Sequence, residues 1–222
     1  MEKDVKDARP YDNRRRSEQA LLNQRRILEA AHQELVNKGY ADTTISGVAE
    51  AAGVSVQTVY KAFGSKPALA KRVYDVTLVG DEEPLPLAER AEIQAIIAEP
   101  DPRQKLAMYA ALGRKLIERI GPLLSVLFSG AKAGDPELAE FAATTARERL
   151  IGVSGLVGHL DAIGALRPGL GFDRARDILW TLIGWEVYEL LVMERGWSLA
   201  DWEAWVAEST AALLLRDAGG DG

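Results

Sequence analysis

The residues best placed to do chemistry lie between Thr43 and Phe63, and the chemistry they suit is hydrogen bonding to a long polar surface rather than bond cleavage. The Thr44 hydroxyl can cap a short helix whose Val48, Ala49 and Ala52 form an apolar stripe. Gly53 tolerates the left-handed conformation that stops a helix and turns the chain. Ser55 can then cap a second helix carrying Val56, Val59, Tyr60 and Phe63. Ala49, Gly53 and Val59 are the small residue, the turn former and the inner apolar residue that two steeply crossing helices require, which is the spacing of a helix-turn-helix. In that motif the second helix enters the DNA major groove with its N-terminal side chains against base edges. A plain helical hairpin in a bundle is the alternative at this spacing, and the flanking segments favour the DNA-reading device.

Other chemistry finds no support. With no cysteine in the chain there is no disulfide framework, thiolate metal site or thiol nucleophile, and His32 and His159 are too few for most zinc sites. His32-Gln33-Glu34 imitates the start of a zinc-deaminase signature without the cysteine pair that completes it. Gly152, Gly155 and Gly158 recur every third residue without the strand a dinucleotide loop needs, and read as close helix packing. His159 and Asp161 diverge on a helix, and no serine nucleophile is identifiable. No metal, cofactor or catalytic residue is expected, and the chain does not read as an enzyme.

The elements that must position the Thr43 to Phe63 stretch are helical. From Glu18 to Lys38, Leu21, Leu22, Ile27, Leu28, Ala31, Leu35 and Val36 recur at helical spacing, and Gly39 closes a supporting helix. Phe63, Val59, Leu28, Ala31, Ile45 and Val48 are expected in its core, and Gly47 marks a close approach to DNA or to a neighbouring helix. After Gly64, Ser65 can cap a helix beginning Lys66-Pro67. Further helices are expected over about 88–98, 103–119, 122–132 after a Gly121-Pro122 break, 136–163, 173–194 and 199–216. No sustained period-two pattern appears, so the fold class is all-α. The stretch from Ile178 to Val192 is apolar on more than one face, and Trp202, Trp205, Val206 and Leu213 form a stripe on the last helix. Such helices either pack on a second copy of the chain, through Ile183, Val187, Leu191, Trp202, Val206 and Leu213, or lie at the centre of a monomeric bundle.

The net charge of -6 is unevenly spread: residues 1–72 hold 13 Lys+Arg against 9 Asp+Glu, and the remainder 14 against 24. A basic end on an acidic body suits a DNA module joined to something else. Residues 1–16, with Arg14, Arg15 and Arg16, read as a flexible arm that either follows phosphates or is simply solvated. No apolar run is long enough to span a membrane and the N-terminus lacks the apolar core of a signal peptide, so a cytoplasmic protein is expected.

Arg26-Ile-Leu-Glu-Ala-Ala, Gly39-Tyr40, Thr43-Thr44, Val48-Ala49, Ala52-Gly53-Val54-Ser55, Thr58-Val59-Tyr60, Phe63 and Ser65-Lys66 to Leu69 together resemble the DNA-binding domain of the tetracycline-repressor (TetR/AcrR) family. The resemblance covers about 50 residues, from Arg25 to near Val73; beyond them only the helical layout is similar. It implies a three-helix helix-turn-helix head on a larger helical ligand-binding and dimerisation domain, divided as arm 1–16, head 17–65, body 66–216 and tail 217–222. It implies that Thr44, Tyr60 and Lys66 touch phosphates and that Ser55, Val56, Gln57, Thr58 and Lys61 read bases, Gln57 standing where the family often has a small residue. It also implies a pocket among the middle helices, near Met108, Tyr109, Leu112, Leu116, Leu127, Phe128, Trp180, Trp185 and Tyr188. The function implied is a transcriptional regulator, a repressor, that binds a palindromic operator on double-stranded DNA as a homodimer and answers to a largely apolar small molecule. The alternatives are a ligand-independent dimeric DNA-binding protein and a small-molecule-binding protein with a degenerate head.

Overall fold

The computed structural model describes residues 10–80 and 87–216, with side chains from Ser17 onward. It is helical throughout: α1 (Pro10–Asp42), α2 (Ile45–Ala52), α3 (Val56–Phe63), α4 (Lys66–Val79), α5 (Ala91–Ala98), α6 (Pro102–Lys132), α7 (Pro136–Ala162), α8 (Phe172–Leu182), α9 (Trp185–Tyr188) and α10 (Leu199–Leu214). Among the described residues the only β feature is an isolated bridge between Leu166 and Leu215. No described helix is long and apolar enough to cross a membrane. The chain forms two compact units, one gathering residues up to Thr77 with Pro122–Phe141, the other Leu78–Gly121 with the residues from Ala142 on.

In the first unit α1 and α2 run antiparallel, since Gly47 of α2 lies against Glu34 and Gly53 against Arg26. Ile27, Ala31, Leu35, Val48, Ala49, Ala52 and Val59 are buried there, as the helical spacing requires, together with Leu69 and Val73 of α4. Leu21 and Leu22, which share the helical spacing, are 53% and 52% exposed. They lie N-terminal to Arg26, on the part of α1 beyond the end of α2. Ile45 and Phe63 are only half-buried. Residues 10–16, read as flexible arm, are the first turns of α1, while residues 1–9 and 217–222 of the expected arm and tail lie outside the described residues.

The second unit holds its own core, in which Leu106, Leu112, Val157, Leu160, Leu179 and Leu214 meet. A second cluster forms around Ala110, Trp202 and Val206. Lys105 is 2% exposed, yet its ammonium donates to the Ile96 and Ile97 carbonyls at 2.8 and 2.6 Å. These carbonyls end α5, so one lysine satisfies acceptors that the helix itself leaves open. Burial lowers the lysine's pKa from its ordinary value, with Glu99 opposing. Replacing Lys105 by Met removes both donors while relieving a buried charge, and is expected to cost ~2 kcal/mol of stability, read from the fall of the urea midpoint. A variant as stable as the parent would mean that the lysine caps nothing of consequence.

One expected break is absent and one unexpected break appears. The helix α6 continues through Pro122. Proline removes one helical donor, but both Pro122 and Glu118, whose carbonyl it leaves unpaired, are exposed, so water can serve that carbonyl. Conversely, the expected helix over 173–194 is interrupted. Gly184, extended at φ −65 and ψ 147, separates α8 from α9, and residues Glu189–Glu194 wind on as a π-helix. A Cβ on Gly184 would lie 3.0 Å from both the Thr181 carbonyl and the Glu186 carboxylate. A side chain there would have to push the Thr181 carbonyl aside by a few tenths of an ångström.

Candidate nucleic-acid interface

The helix-turn-helix is fixed at each of its ends by its own side chains. Thr44, at φ −119 and ψ 150, begins α2, and its hydroxyl accepts from the Gly47 N–H at 3.0 Å. The Ser46 hydroxyl lies 3.1 Å from it, so two exposed hydroxyls share the start of this helix. The close approach at Gly47 is intramolecular: a Cβ there would meet the Thr44 hydroxyl at 3.2 Å and the Glu34 carboxylate at 3.4 Å. At the other end Gly53 takes φ 64, and the Val54 N–H donates back to the Ala49 carbonyl at 2.9 Å, closing a Schellman turn.

Ser55 then starts α3. Its hydroxyl accepts from the Thr58 N–H at 3.1 Å and shares a 2.8 Å hydrogen bond with the Thr58 hydroxyl. These two residues, expected to face bases, are thus already engaged in shaping the N-terminus of α3. Val59 is buried at 1% exposure, whereas Val56 and Tyr60 are 41% and 51% exposed and Gln57 and Lys61 are exposed beside them. The helix therefore presents one apolar contact inward and a mixed face of methyl, amide, phenol and ammonium outward. Gly64, at φ 79, ends it, and the Ser65 hydroxyl accepts from the Ala68 N–H at 3.3 Å to open α4.

Lys66, in the first turn of α4, is half-buried. Its ammonium lies 4.1 Å from the centroid of the Tyr40 ring and 3.4 Å from the Ala41 carbonyl. Burial lowers its pKa from the ordinary lysine value, against the opposing pull of Glu137, Asp135 and Asp42. Tyr40 itself is buried, and its hydroxyl donates to the Glu137 carboxylate at 2.8 Å. Burial and that carboxylate hold the phenol well above the ordinary tyrosine range. Neither Tyr40 nor Glu137 is distinguishable as a site residue in the sequence, because their partnership spans 97 positions. Arg14, Arg15 and Arg16 lie on the first turns of α1.

Residues 27–73 match the model of the bacterial regulatory proteins of the tetR family. This segment is similar to a tetR-family domain. It spans the last part of α1, the helix-turn-helix and the first half of α4. Three solved structures share the fold along most of the chain. NalD, the secondary repressor of the MexAB-OprM multidrug efflux pump in Pseudomonas aeruginosa, is 21% identical, with 90% of this chain and 99% of that chain covered at a TM-score of 0.67. The transcriptional regulator FadR from Bacillus subtilis, in complex with stearoyl-CoA, is 20% identical, with coverage of 83% and 96% and a TM-score of 0.65. SmeT in its triclosan complex is 18% identical, with coverage of 88% and 93% and a TM-score of 0.66. No curated protein matches the chain. At these identities the structural likeness establishes the fold.

In the tetR-type body, the residues named for a pocket fall in both units. Met108, Tyr109, Leu116 and Trp180 pack against the cluster that contains buried Leu112, all in the second unit. The Arg149 guanidinium carbon stands 4.5 Å from the centroid of the Trp180 ring, and burial pushes the Tyr109 phenol up to about 12. Trp185 is buried with its ring 5.0 Å from that of Tyr188, which in turn meets Trp202 edge-on. Leu127 and Phe128 belong to the first unit, where Phe128 packs edge-on against Phe141. That unit also carries an open cleft of about 490 Å³ between Gly39, Tyr40, Ser125, Ser129, Gly130 and Leu138, which no sequence pattern signalled.

The residues expected to join two copies divide as well. Trp202 and Val206 are each 1% exposed within a single chain, so a partner has no surface of theirs left to cover. They belong to the protomer's own core, a correction that follows from Trp202 packing over Gly113. Ile183, Val187 and Leu191 are half-buried, and Leu213 is 38% exposed. Among the described residues no group of His, Asp and Glu is arranged to hold a metal ion.

Proposed function

We propose that this chain is a cytoplasmic transcriptional repressor, not an enzyme, that binds a palindromic operator as a homodimer and is released by a small molecule. The observation that supports it most is the outward face of α3, where Val56, Gln57, Tyr60 and Lys61 stand exposed on a helix fixed at both ends. An amide can pair bidentately with adenine, an ammonium can donate to guanine, and a branched methyl can meet the thymine methyl. Ser55 and Thr58 complete that reading edge at the helix start. Thr44, Tyr60 and Lys66 supply phosphate contacts around it, with Arg14, Arg15 and Arg16 along the backbone beyond. Two heads one turn apart, about 34 Å, would engage successive major grooves.

The homodimer contact in this reading runs through Ile183, Val187, Leu191 and Leu213, joined by exposed Leu190 and Met193. The effector site in this reading takes in Met108, Tyr109, Leu112, Leu116, Trp180, Trp185 and Tyr188, all within the second unit. Its apolar and aromatic lining suits a largely apolar ligand, as triclosan in SmeT and the acyl chain of stearoyl-CoA in FadR are. Release requires that such a ligand bind more tightly to the state that cannot engage both half-sites.

Footprinting on the DNA flanking the gene tests the reading: a protected inverted repeat is expected, and no protection anywhere would overturn it. On that repeat Tyr60→Phe and Lys66→Ala should weaken binding to all sequences alike, and Lys66→Ala should lower the slope of log affinity against log salt by about 0.9. Gln57→Ala should instead flatten the preference at one base position by ~1–3 kcal/mol. Unchanged affinity in the first two variants would contradict this docking.

A further inference from the structure

The head carries a chain of contacts that a DNA-reading motif does not need for its own fold. It begins at the start of α7, where the Asp135 carboxylate accepts from the Glu137 and Leu138 N–H groups at 2.9 and 3.1 Å. That cap fixes the first turn of α7 and with it the base of the Glu137 side chain. The Glu137 carboxylate accepts from the Tyr40 hydroxyl at 2.8 Å. Tyr40 follows Gly39, whose φ of 81 breaks the straight course of α1, and the Thr43 hydroxyl donates to the Gly39 carbonyl at 2.7 Å. The loop leading into Thr44 is therefore closed from within, while the direction of the Tyr40 ring is set from α7. On that ring rests the Lys66 ammonium, 4.1 Å from its centroid.

We propose that Glu137 is a positioning residue for DNA binding: through the Tyr40 hydroxyl it orients the ring that carries the Lys66 ammonium and holds that ammonium ready for a phosphate. A lysine ammonium sits on a flexible four-carbon stem, and ordering it at the moment of binding weakens the contact it makes. A ring beneath it, attracted to the cation through its π face, settles the ordering before DNA arrives. The ring can do this only while its own direction is fixed, and the tether at its hydroxyl is Glu137. The carboxylate also acts at a distance, since its charge opposes that of an approaching phosphate. Position and charge thus pull in opposite senses, and a variant that keeps one while removing the other separates them.

The inference rests on the reading that the head binds DNA through Lys66. The experiment compares the full-length wild type, Glu137→Gln and Glu137→Ala, each alone and combined with Lys66→Ala, for binding to a fluorescent DNA duplex of arbitrary sequence across a salt series. Both Glu137 variants lose the same charge, but the glutamine oxygen still accepts from the Tyr40 hydroxyl. Glu137→Gln should bind at least as tightly as wild type and keep its salt slope. Glu137→Ala should bind about fivefold more weakly than Glu137→Gln, with a slope lowered toward that of Lys66→Ala. In the Lys66→Ala background the glutamine and alanine variants should coincide. Equal affinities of Glu137→Gln and Glu137→Ala would overturn the inference, as would a difference that persists without Lys66. If Glu137→Ala does not fold, as judged by its melting curve, Tyr40→Phe removes only the hydroxyl and keeps the Glu137 charge, so it is compared with wild type and should bind more weakly. A wild type that binds no duplex would instead overturn the DNA-binding reading itself.

Discussion

Val206→Asp is expected to unfold the second unit rather than to separate two folded protomers. Val206 is 1% exposed and packs in the cluster built on Ala110 and Trp202, so an aspartate there is taken fully out of water with no cation provided for it. An uncompensated buried charge of this kind costs several kcal/mol, roughly 3–5, which is comparable with the whole stability of many domains. Circular dichroism melting should show loss of the cooperative transition, or a fall of its midpoint by well over ten degrees. Light scattering should show aggregate or expanded chain rather than a compact monomer. A folded monomer melting like the parent would place Val206 at a subunit contact and remove it from the core.

Gly53→Val should abolish sequence-specific DNA binding while leaving the second unit folded. The glycine sits at φ 64, where a β-branched side chain is strongly strained, and its Cβ would also come 2.6 Å from the Arg26 guanidinium. The arginine can swing aside; the backbone cannot. The strain is worth ~2–3 kcal/mol and falls on the turn that sets the angle between α2 and α3. Relief by re-angling the turn displaces Ser55 and the exposed face of α3 together. Gly53→Ala, with a smaller penalty of ~1 kcal/mol, should weaken binding without abolishing it. Footprinting at matched protein concentrations gives the order wild type, alanine, valine. Valine binding as well as wild type would show that the turn does not govern the reading helix.

The parts of the fold that were legible from sequence are those decided by neighbours in the chain. Thr44, Gly53, Ser55 and Ser65 act within four residues of themselves, and each caps or ends a helix where its residue type says it should. Val59 and Ala49 were recoverable because helical periodicity assigns a face. What escaped depends on partners far along the chain. Periodicity marks Leu21 and Leu22 as an apolar pair but cannot tell that α2 ends before it could cover them. It marks Trp202 and Val206 as a buried stripe but cannot say whose surface buries them. The pairing of Tyr40 with Glu137 and the grouping of Pro122–Phe141 with the head leave no local trace at all. Pro122 shows the reverse failure. Its type argued for a break, and the exposure of Pro122 and Glu118 explains why the helix can run on.

Only one residue of α3, Val59, is buried. The eight-residue helix is thus held to the rest of the head by Val59, by half-buried Phe63 and by hydrogen bonds at its two ends, none of which involves the side chains of Val56, Gln57, Tyr60 or Lys61. Substitutions at such exposed positions typically change stability by no more than about 0.5 kcal/mol. The surface that would choose a DNA sequence can therefore drift, residue by residue, without endangering the fold that presents it. Under the proposed function, new operator preferences are accessible by single steps, each of which leaves a folded protein to be selected.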